Sequence, residues 1–482
     1  MMSREVAMPG PTIRSWGDAP VALGWVAVAA VTSALTAAFA FGAIPRTTET
    51  ALIAGEGWIM GGTTEPNPTP AYVADVEKLY LDNELSGLSG YSFTGLHTPE
   101  EFCPIVCFPA PADDPASWST MNFGVSVSTG AEIVNQQIQT ALTANPDADL
   151  GVFGYSQSAT IATLEMNDLI AGDHTDPNLH VVLIGDPNSP IGGMLDRFQF
   201  PDGIAAFSLT PEPQHLPFLN VPLSMGPTPT SPFPTDIYTG EYDGWADFPR
   251  DPTNIVADIN ALIGVATVHP YYPDPTPGVN LDTNDIINLG TIGDTHFYEI
   301  PAPLPMLAFL YDGGPAGLFF YDLFDPYLSL VDDWAYGNPG DPGAGIPVDG
   351  TDPIGVAGPW QVDATGQLVA SGVAGFLPKM DPLQMLAGEE YAAVQTVVGP
   401  IDALLSDAGQ SPLPESLVNV LLSGYDVTNG VDASLLTAWS DLTASIPGLG
   451  PDAVFNGAPM IPGQPLIDLV GVVFDIFNFF GA

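Results

Sequence analysis

The apolar positions of this chain fall into two alternating patterns. Leu150-Gly151-Val152-Phe153 is an unbroken apolar run that stops at Gly154-Tyr155-Ser156-Gln157-Ser158, after which Ala159, Ile161, Ala162, Leu164 and Met166 recur at helical spacing. The run predicts a buried strand and the recurrence predicts a helix with one buried face. Upstream, Ala51-Leu52-Ile53 and Trp58-Ile59-Met60 read as strand, and Val73, Val76 and Tyr80 mark one face of a helix. A helix over 131–142 follows from Val134, Ile138, Ala141 and Leu142. Downstream, His180-Val181-Val182-Leu183-Ile184 is a β-branched run of the kind buried in parallel sheets, and Asp236-Ile237-Tyr238-Thr239 is a further strand. A helix over 254–264 is expected to turn Ile255, Ile259, Leu262 and Ile263 inward and to deliver Val268-His269-Pro270-Tyr271-Tyr272. Strand and helix alternate, which predicts an α/β fold with a mostly parallel central sheet flanked by helices.

Other stretches are less periodic. Residues 189–234 are rich in Pro, Phe and Leu and are expected to run over the top of the sheet. Beyond Leu304 come Phe309, Phe319-Phe320-Tyr321, Phe324 and Tyr327, a composition suited to core or to an apolar cap. The region 337–359 is dense in turn residues, 385–446 holds helical pieces at 417–422 and 435–442, and Leu466–Phe480 has an apolar face expected to dock on the body. At the other end, Val21–Ile44 is an uncharged run of 24 residues between Arg14 and Arg46. That is long enough to span a bilayer and longer than the usual core of a signal peptide, so it predicts export with the segment retained as an anchor. Ala38-Phe39-Ala40 offers a cleavage pattern, so secretion after cleavage stays open. The resulting division is 1–47 as signal anchor, 48–336 as the α/β domain, and 337–482 as a Gly/Pro-rich and helical extension or cap.

Charge narrows the partners. Seven Lys and Arg stand against 56 Asp and Glu among the 482 residues, a formal charge of −49, which excludes nucleic acid and disfavours charge-driven binding to anionic surfaces. With 46% hydrophobic and only 13% charged residues, the chain is expected to fold rather than to behave as an acidic tail. Its two cysteines, Cys103 and Cys107, are too few for a closed zinc site; in an oxidising compartment they predict one local disulfide. No spacing of acidic residues matches a calcium loop, and no cofactor or metal is expected.

A serine at the apex of a strand-turn-helix is the arrangement of an α/β-hydrolase nucleophile, lifted clear of the sheet and close to helix N-terminal amides. Ser156 is therefore the candidate nucleophile. Ser158 stands where the common G-x-S-x-G turn has its last glycine, which is expected to cost space where helix and strand meet. In this fold the acid and then the base follow the serine along the chain. Asp243, at the end of a strand, is preferred as acid over Asp247. His269, directly after an apolar helix, is preferred as base, with His296 in reserve. The oxyanion donors are assigned to the backbone of Gln157 and to the early glycine loop at Gly62 and Thr63.

Taken together, Gly61-Gly62-Thr63 with Asn67-Pro68-Thr69-Pro70, Gly154-Tyr155-Ser156-Gln157-Ser158, Tyr242-Asp243-Gly244-Trp245-Ala246-Asp247-Phe248-Pro249, His269-Pro270 and Leu304-Pro305-Met306-Leu307 resemble the PE-PPE domain of mycobacterial envelope proteins. The likeness runs from about Ala51 to about Tyr336. It implies a cutinase-like serine α/β-hydrolase in which G-x-S-x-S is a usual form of the turn. No PE or PPE helical module precedes the domain here; the apolar segment takes its place, as in members that act on acyl-trehalose lipids. The expected function is an exported, cell-envelope serine esterase acting on acyl esters through an acyl-serine. The alternatives are an acyltransferase moving chains between trehalose glycolipids and a non-catalytic lipid- or partner-binding protein. The expected partners are an acyl ester or glycolipid substrate and a membrane held through the N-terminal segment.

Overall fold

A computed structural model describes residues 55–83, 85–103, 106, 121–175, 178–197, 215–216, 221–222, 227–249, 254–311, 313–336, 360–362, 368–370, 382–428, 430–431, 434, 454–455 and 458–459. The N-terminal apolar run, Cys107, the helical piece at 435–442 and Leu466–Phe480 lie outside them. Among the described residues no helix is long and apolar enough to cross a membrane.

Seven strands form the main sheet: β1 (Glu56–Ile59), β2 (Ser92–Gly95), β3 (Leu150–Tyr155), β4 (Leu179–Ile184), β5 (Thr235–Gly240), β6 (Ile287–Ile292) and β7 (Thr295–Ile300). Their spatial order is β2-β1-β3-β4-β5-β7-β6, and every neighbouring pair is parallel except the edge hairpin β6–β7. The three helices over the early half are α1 (Pro70–Val76), which continues into a π turn at Glu77–Leu81, α2 (Phe123–Ala144) and α3 (Gln157–Ala171). A short α4 (Met194–Arg197) precedes α5 (Ile255–Thr267), and α6 (Ala308–Tyr311), α7 (Gly314–Trp334), α8 (Pro382–Asp407) and α9 (Glu415–Leu421) complete the set.

Strand residues alternate between two buried layers, as side chains on a pleat must. Val152, Val181, Leu183, Ile237 and Phe297 face α2 and α3, meeting Val127, Val134, Ile138, Ile161 and Met166. Phe153, Val182, Ile184, Tyr238 and Tyr298 face the other way onto Val76, Tyr80 and Leu81 of the α1 region and onto Val268 and Tyr272. Burial on both faces explains why β3 and β4 read as continuous apolar runs.

One expectation is reversed. The buried face of α5 consists of Ala257, Asn260, Ala261 and Gly264, while Ile255, Ile259 and Leu262 are 68%, 49% and 59% exposed. The inversion follows from how closely the helix lies on the loop after β5. A Cβ at Gly264 would collide with Tyr242 O, and one at Gly244 would collide with Ala261 O. Only small side chains fit that seam, so the large apolar ones face outward. The extension packs through its long helix, α8, which runs along α7 and buries Ala392 against Leu330.

The core also holds carboxyls with no cation beside them among the described residues. Burial pushes Glu100 up to about 8, Glu165 and Asp332 to about 7, and Asp186 to about 6. In the unfolded chain these groups ionise near pH 4. Between about pH 4.5 and 8 the folded state therefore keeps protons that the unfolded state has released, so stability is fully present at the acid end and falls as pH rises. We expect a lower thermal midpoint at pH 8 than at pH 5 at fixed ionic strength, with Glu100→Gln narrowing the gap; a higher midpoint at pH 8 contradicts the assignment.

Candidate active site

The C-terminal ends of β1, β3, β4 and β5 meet at one edge of the sheet, the place where open α/β sheets bind their ligands. Ser156 follows β3 and caps α3 with φ 56° and ψ −116°, a left-handed backbone that non-glycine residues seldom adopt. Local packing holds it there. Ser156 N–H donates to Ile184 O at 3.1 Å, and Ser156 O accepts from Ala159 N–H at 3.0 Å. At Gly154 a Cβ would lie 2.5 Å from Ser158 O and 2.8 Å from Ala159 N, so the close approach of strand and helix is made there.

The spatial cost expected at Ser158 is not found. Its hydroxyl accepts from Tyr155 N–H at 2.7 Å and donates to Tyr155 O at 3.1 Å, so it braces the turn from inside.

Three predicted side chains come together. His269 Nε2 lies 2.7 Å from Ser156 Oγ, and His269 Nδ1 lies 2.7 Å from Asp243 Oδ2. Because the carboxylate only accepts, Nδ1 carries the proton and Nε2 is left to accept from the serine hydroxyl. Asp243 is fully buried, and its Oδ1 accepts from Trp245 N–H at 3.0 Å. Its rival, Asp247, instead accepts from Tyr242 N–H at 3.2 Å and helps to close the loop after β5. His296 sits at the start of β7, at the opposite end of the sheet from Ser156. There His296 Nδ1 and His180 Nε2 share the buried Asp236 at 3.2 and 2.8 Å. That pairing takes His296 out of the site.

The predicted amide donors flank the serine. A Cβ on Gly62 would lie 2.8 Å from the Tyr155 ring and 3.5 Å from Ser156 Cβ, so only glycine lets this loop approach so closely. The backbone N–H groups of Thr63 and Gln157 have no acceptor among the described residues. Two consecutive carbonyls hold the two sides in register: Glu100 O accepts from Thr64 N–H at 3.1 Å, and Glu101 O accepts from Gln157 Nε2 at 2.8 Å. Ser126 joins this bracket, accepting from Glu101 N–H at 2.9 Å. Two residues on, Cys103 is disulfide-bonded; the chain's other cysteine, Cys107, lies outside the described residues.

Sequence reasoning missed several parts. The hydroxyl of Tyr155, inside the serine motif, donates to His269 O at 2.6 Å. Gly185, at the end of β4, has φ +54°, and a Cβ there would stand 3.2 Å from His269 Cε1 and 2.9 Å from the Tyr272 ring. Its bareness makes room for the imidazole. The glycine itself was visible in the sequence, but nothing tied it to a histidine 84 residues later. Among the described residues no group of three or more His, Cys, Asp or Glu is placed to hold a metal ion.

The fold and the site's position define an α/β protein with a mostly parallel sheet and a polar cluster at its carboxyl edge. A family model described as the PE-PPE domain matches residues 89–337, and the chain belongs to that family. It is 35% identical over 288 residues to the uncharacterized PPE family protein PPE28 of Mycobacterium tuberculosis, covering 59% of this chain and 39% of that protein. To esterase PE16 of the same organism it is 34% identical over 310 residues, covering 62% and 52%. The diacyltrehalose acyltransferase Chp2, also from M. tuberculosis, is 25% identical over 276 residues, covering 52% of this chain and 72% of its own. The chain thus spans about half or less of the first two relatives.

Removing the Ser158 hydroxyl orphans a backbone N–H inside the turn. Ser158→Ala is expected to cost about 1–2 kcal/mol of unfolding free energy, measured by urea denaturation; an unchanged midpoint and slope contradict the bracing role.

Proposed function

We propose that the chain is a serine hydrolase of acyl esters, working through an acyl-serine. The observation that carries this reading is the unbroken line from Ser156 Oγ through His269 to the buried Asp243, on a turn whose backbone strain faces the Gly62–Thr63 loop. His269 Nε2 takes the proton from Oγ as Oγ bonds to the ester carbonyl carbon. The carbonyl oxygen then carries the negative charge and is held by the N–H groups of Gln157 and Thr63. As the tetrahedral adduct collapses, the alcohol leaves with the proton from His269. Water then gives a proton to His269 Nε2 as its oxygen bonds to the acyl carbon, and the second adduct collapses by breaking the bond to Oγ, which takes that proton back from His269 as the acid departs. Among relatives, the one named an esterase supports hydrolysis.

A second reading uses the same residues with a sugar hydroxyl in place of water, moving the acyl chain to another glycolipid. The relative named a diacyltrehalose acyltransferase favours it. The disulfide at Cys103 supports a working place in an oxidising compartment, outside the cytoplasm.

Ser156→Ala is expected to lower kcat/KM on a 4-nitrophenyl acyl ester by about four orders of magnitude or more; full activity in that variant removes the serine from the reaction. Incubation with a long-chain acylated sugar, followed by mass analysis, separates the two readings: free acid marks hydrolysis, and acyl on a second sugar marks transfer. Gly185→Ala is expected to displace the imidazole and lower kcat about a hundredfold while Ser156 and Asp243 stay in place; unchanged kcat contradicts the packing argument.

A further inference from the structure

The residues after α5 form a 3₁₀ turn, His269–Tyr271, with Tyr272 as its C-cap. Three residues make one turn of such a helix, so positions 269 and 272 face the same side. Both reach the same atom. Tyr272 OH donates to Asp243 Oδ2 at 2.8 Å, beside the 2.7 Å contact from His269 Nδ1. The phenol is fully buried and fixed on every side. Its oxygen accepts from Gly240 N–H at 2.6 Å, its backbone carbonyl accepts from Tyr80 OH at 2.8 Å, and its ring centroid lies 5.8 Å from that of Tyr155 and 6.0 Å from that of His269.

The geometry assigns Tyr272 as a positioning residue that divides the charge of the Asp243 carboxylate between itself and the imidazole, setting how strongly His269 Nδ1–H is held. A carboxylate oxygen with one donor concentrates its charge there, and a second donor draws part of it away. Tyr272 therefore both fixes the carboxylate rotamer and moderates the His–Asp bond. Burial and the neighbouring Asp243 raise its hydroxyl well above the usual phenol range, which keeps it a donor at working pH. Among the described residues, the groups bonded to the His269–Asp243 pair are Ser156, Tyr155 and Tyr272 together with Trp245 N–H, and none of these carries a positive charge. Among the described residues, Tyr272 and His269 are thus the side chains that donate to the acid.

The activity readout rests on the proposed acyl-ester chemistry; the spectroscopic one does not. In the full chain, the far-downfield proton resonance of His269 Nδ1–H is recorded for the wild type, Tyr272→Phe and a form carrying 3-fluorotyrosine at 272, a stronger donor of nearly the same size. Tyr272→Phe is expected to move the resonance further downfield, as Asp243 Oδ2 is left to the imidazole alone, and 3-fluorotyrosine to move it upfield. On 4-nitrophenyl butyrate, Tyr272→Phe is expected to lower kcat about ten- to a hundredfold, with KM within about twofold. Tyr238→Phe, which removes another buried phenol hydroxyl, one that meets Asn83 Nδ2 rather than the acid, is expected to leave both readouts unchanged. A resonance that stays in place in both Tyr272 variants overturns the proposal, as does an equal effect of Tyr238→Phe. Should Tyr272→Phe fail to fold, the fluorotyrosine form alone decides it by the sign of its shift. A resonance that shifts as expected in a protein that hydrolyses no ester upholds the positioning role and rejects the acyl-ester reading.

Discussion

The top of the sheet depends on one backbone reversal, the left-handed Ser156 between β3 and α3. Such a conformation costs on the order of 1–3 kcal/mol for a residue with a Cβ and persists only where its surroundings over-determine it. Here the surroundings are specific. Gly154 lets the helix close on the strand, Ser156 N–H is tied to β4 through Ile184 O, and Ser158 turns its hydroxyl back onto Tyr155. The reversal puts Oγ at the carboxyl edge and leaves Gln157 N–H, at the same place, as a first-turn donor with no acceptor among the described residues. Neither position exists without the other.

The second half of the site is delivered by close contact rather than by a large apolar face. Helix α5 lies on the Tyr242–Gly244 loop through alanines and glycines, so Asp243 and His269 are brought within one hydrogen bond by elements that nearly touch at the backbone. The imidazole then lies over Gly185, with Tyr155 holding its backbone carbonyl. Its reach to Ser156 is fixed by contacts from the ends of β3 and β4, from the loop after β5 and from the end of α5. In the proposed acyl transfer, the developing charge would meet dipoles already in position.

Most of the fold was legible because its strands are buried on both faces and so carry continuous apolar runs, as in β3 and β4. The order Ser156, Asp243, His269 was legible because a strand end and a helix end mark the last two. The edge hairpin β6–β7 was missed: Ile287–Ile292 and Thr295–Ile300 mix polar and apolar residues, and much of β6 is half-exposed. The orientation of α5 was misread because a helix that is apolar nearly all round gives periodicity no purchase, and the seam chose residues by size. His296 is a rival in the sequence because chain order cannot tell the two ends of a strand apart; in space it pairs with Asp236, at the other end of the sheet from Ser156. The role of Tyr272 was hidden for a different reason. Its spacing of three from His269 carries meaning only once the backbone there is known to be 3₁₀ rather than α.

The central claim is that Ser156 alone among the serines is made nucleophilic by its surroundings. Treating the full chain with a fluorophosphonate and locating the added mass by peptide analysis tests this directly. The account predicts a single adduct, on Ser156, lost on substitution of His269. An adduct on another residue, or a protein that turns over esters while Ser156 stays unmodified, contradicts it.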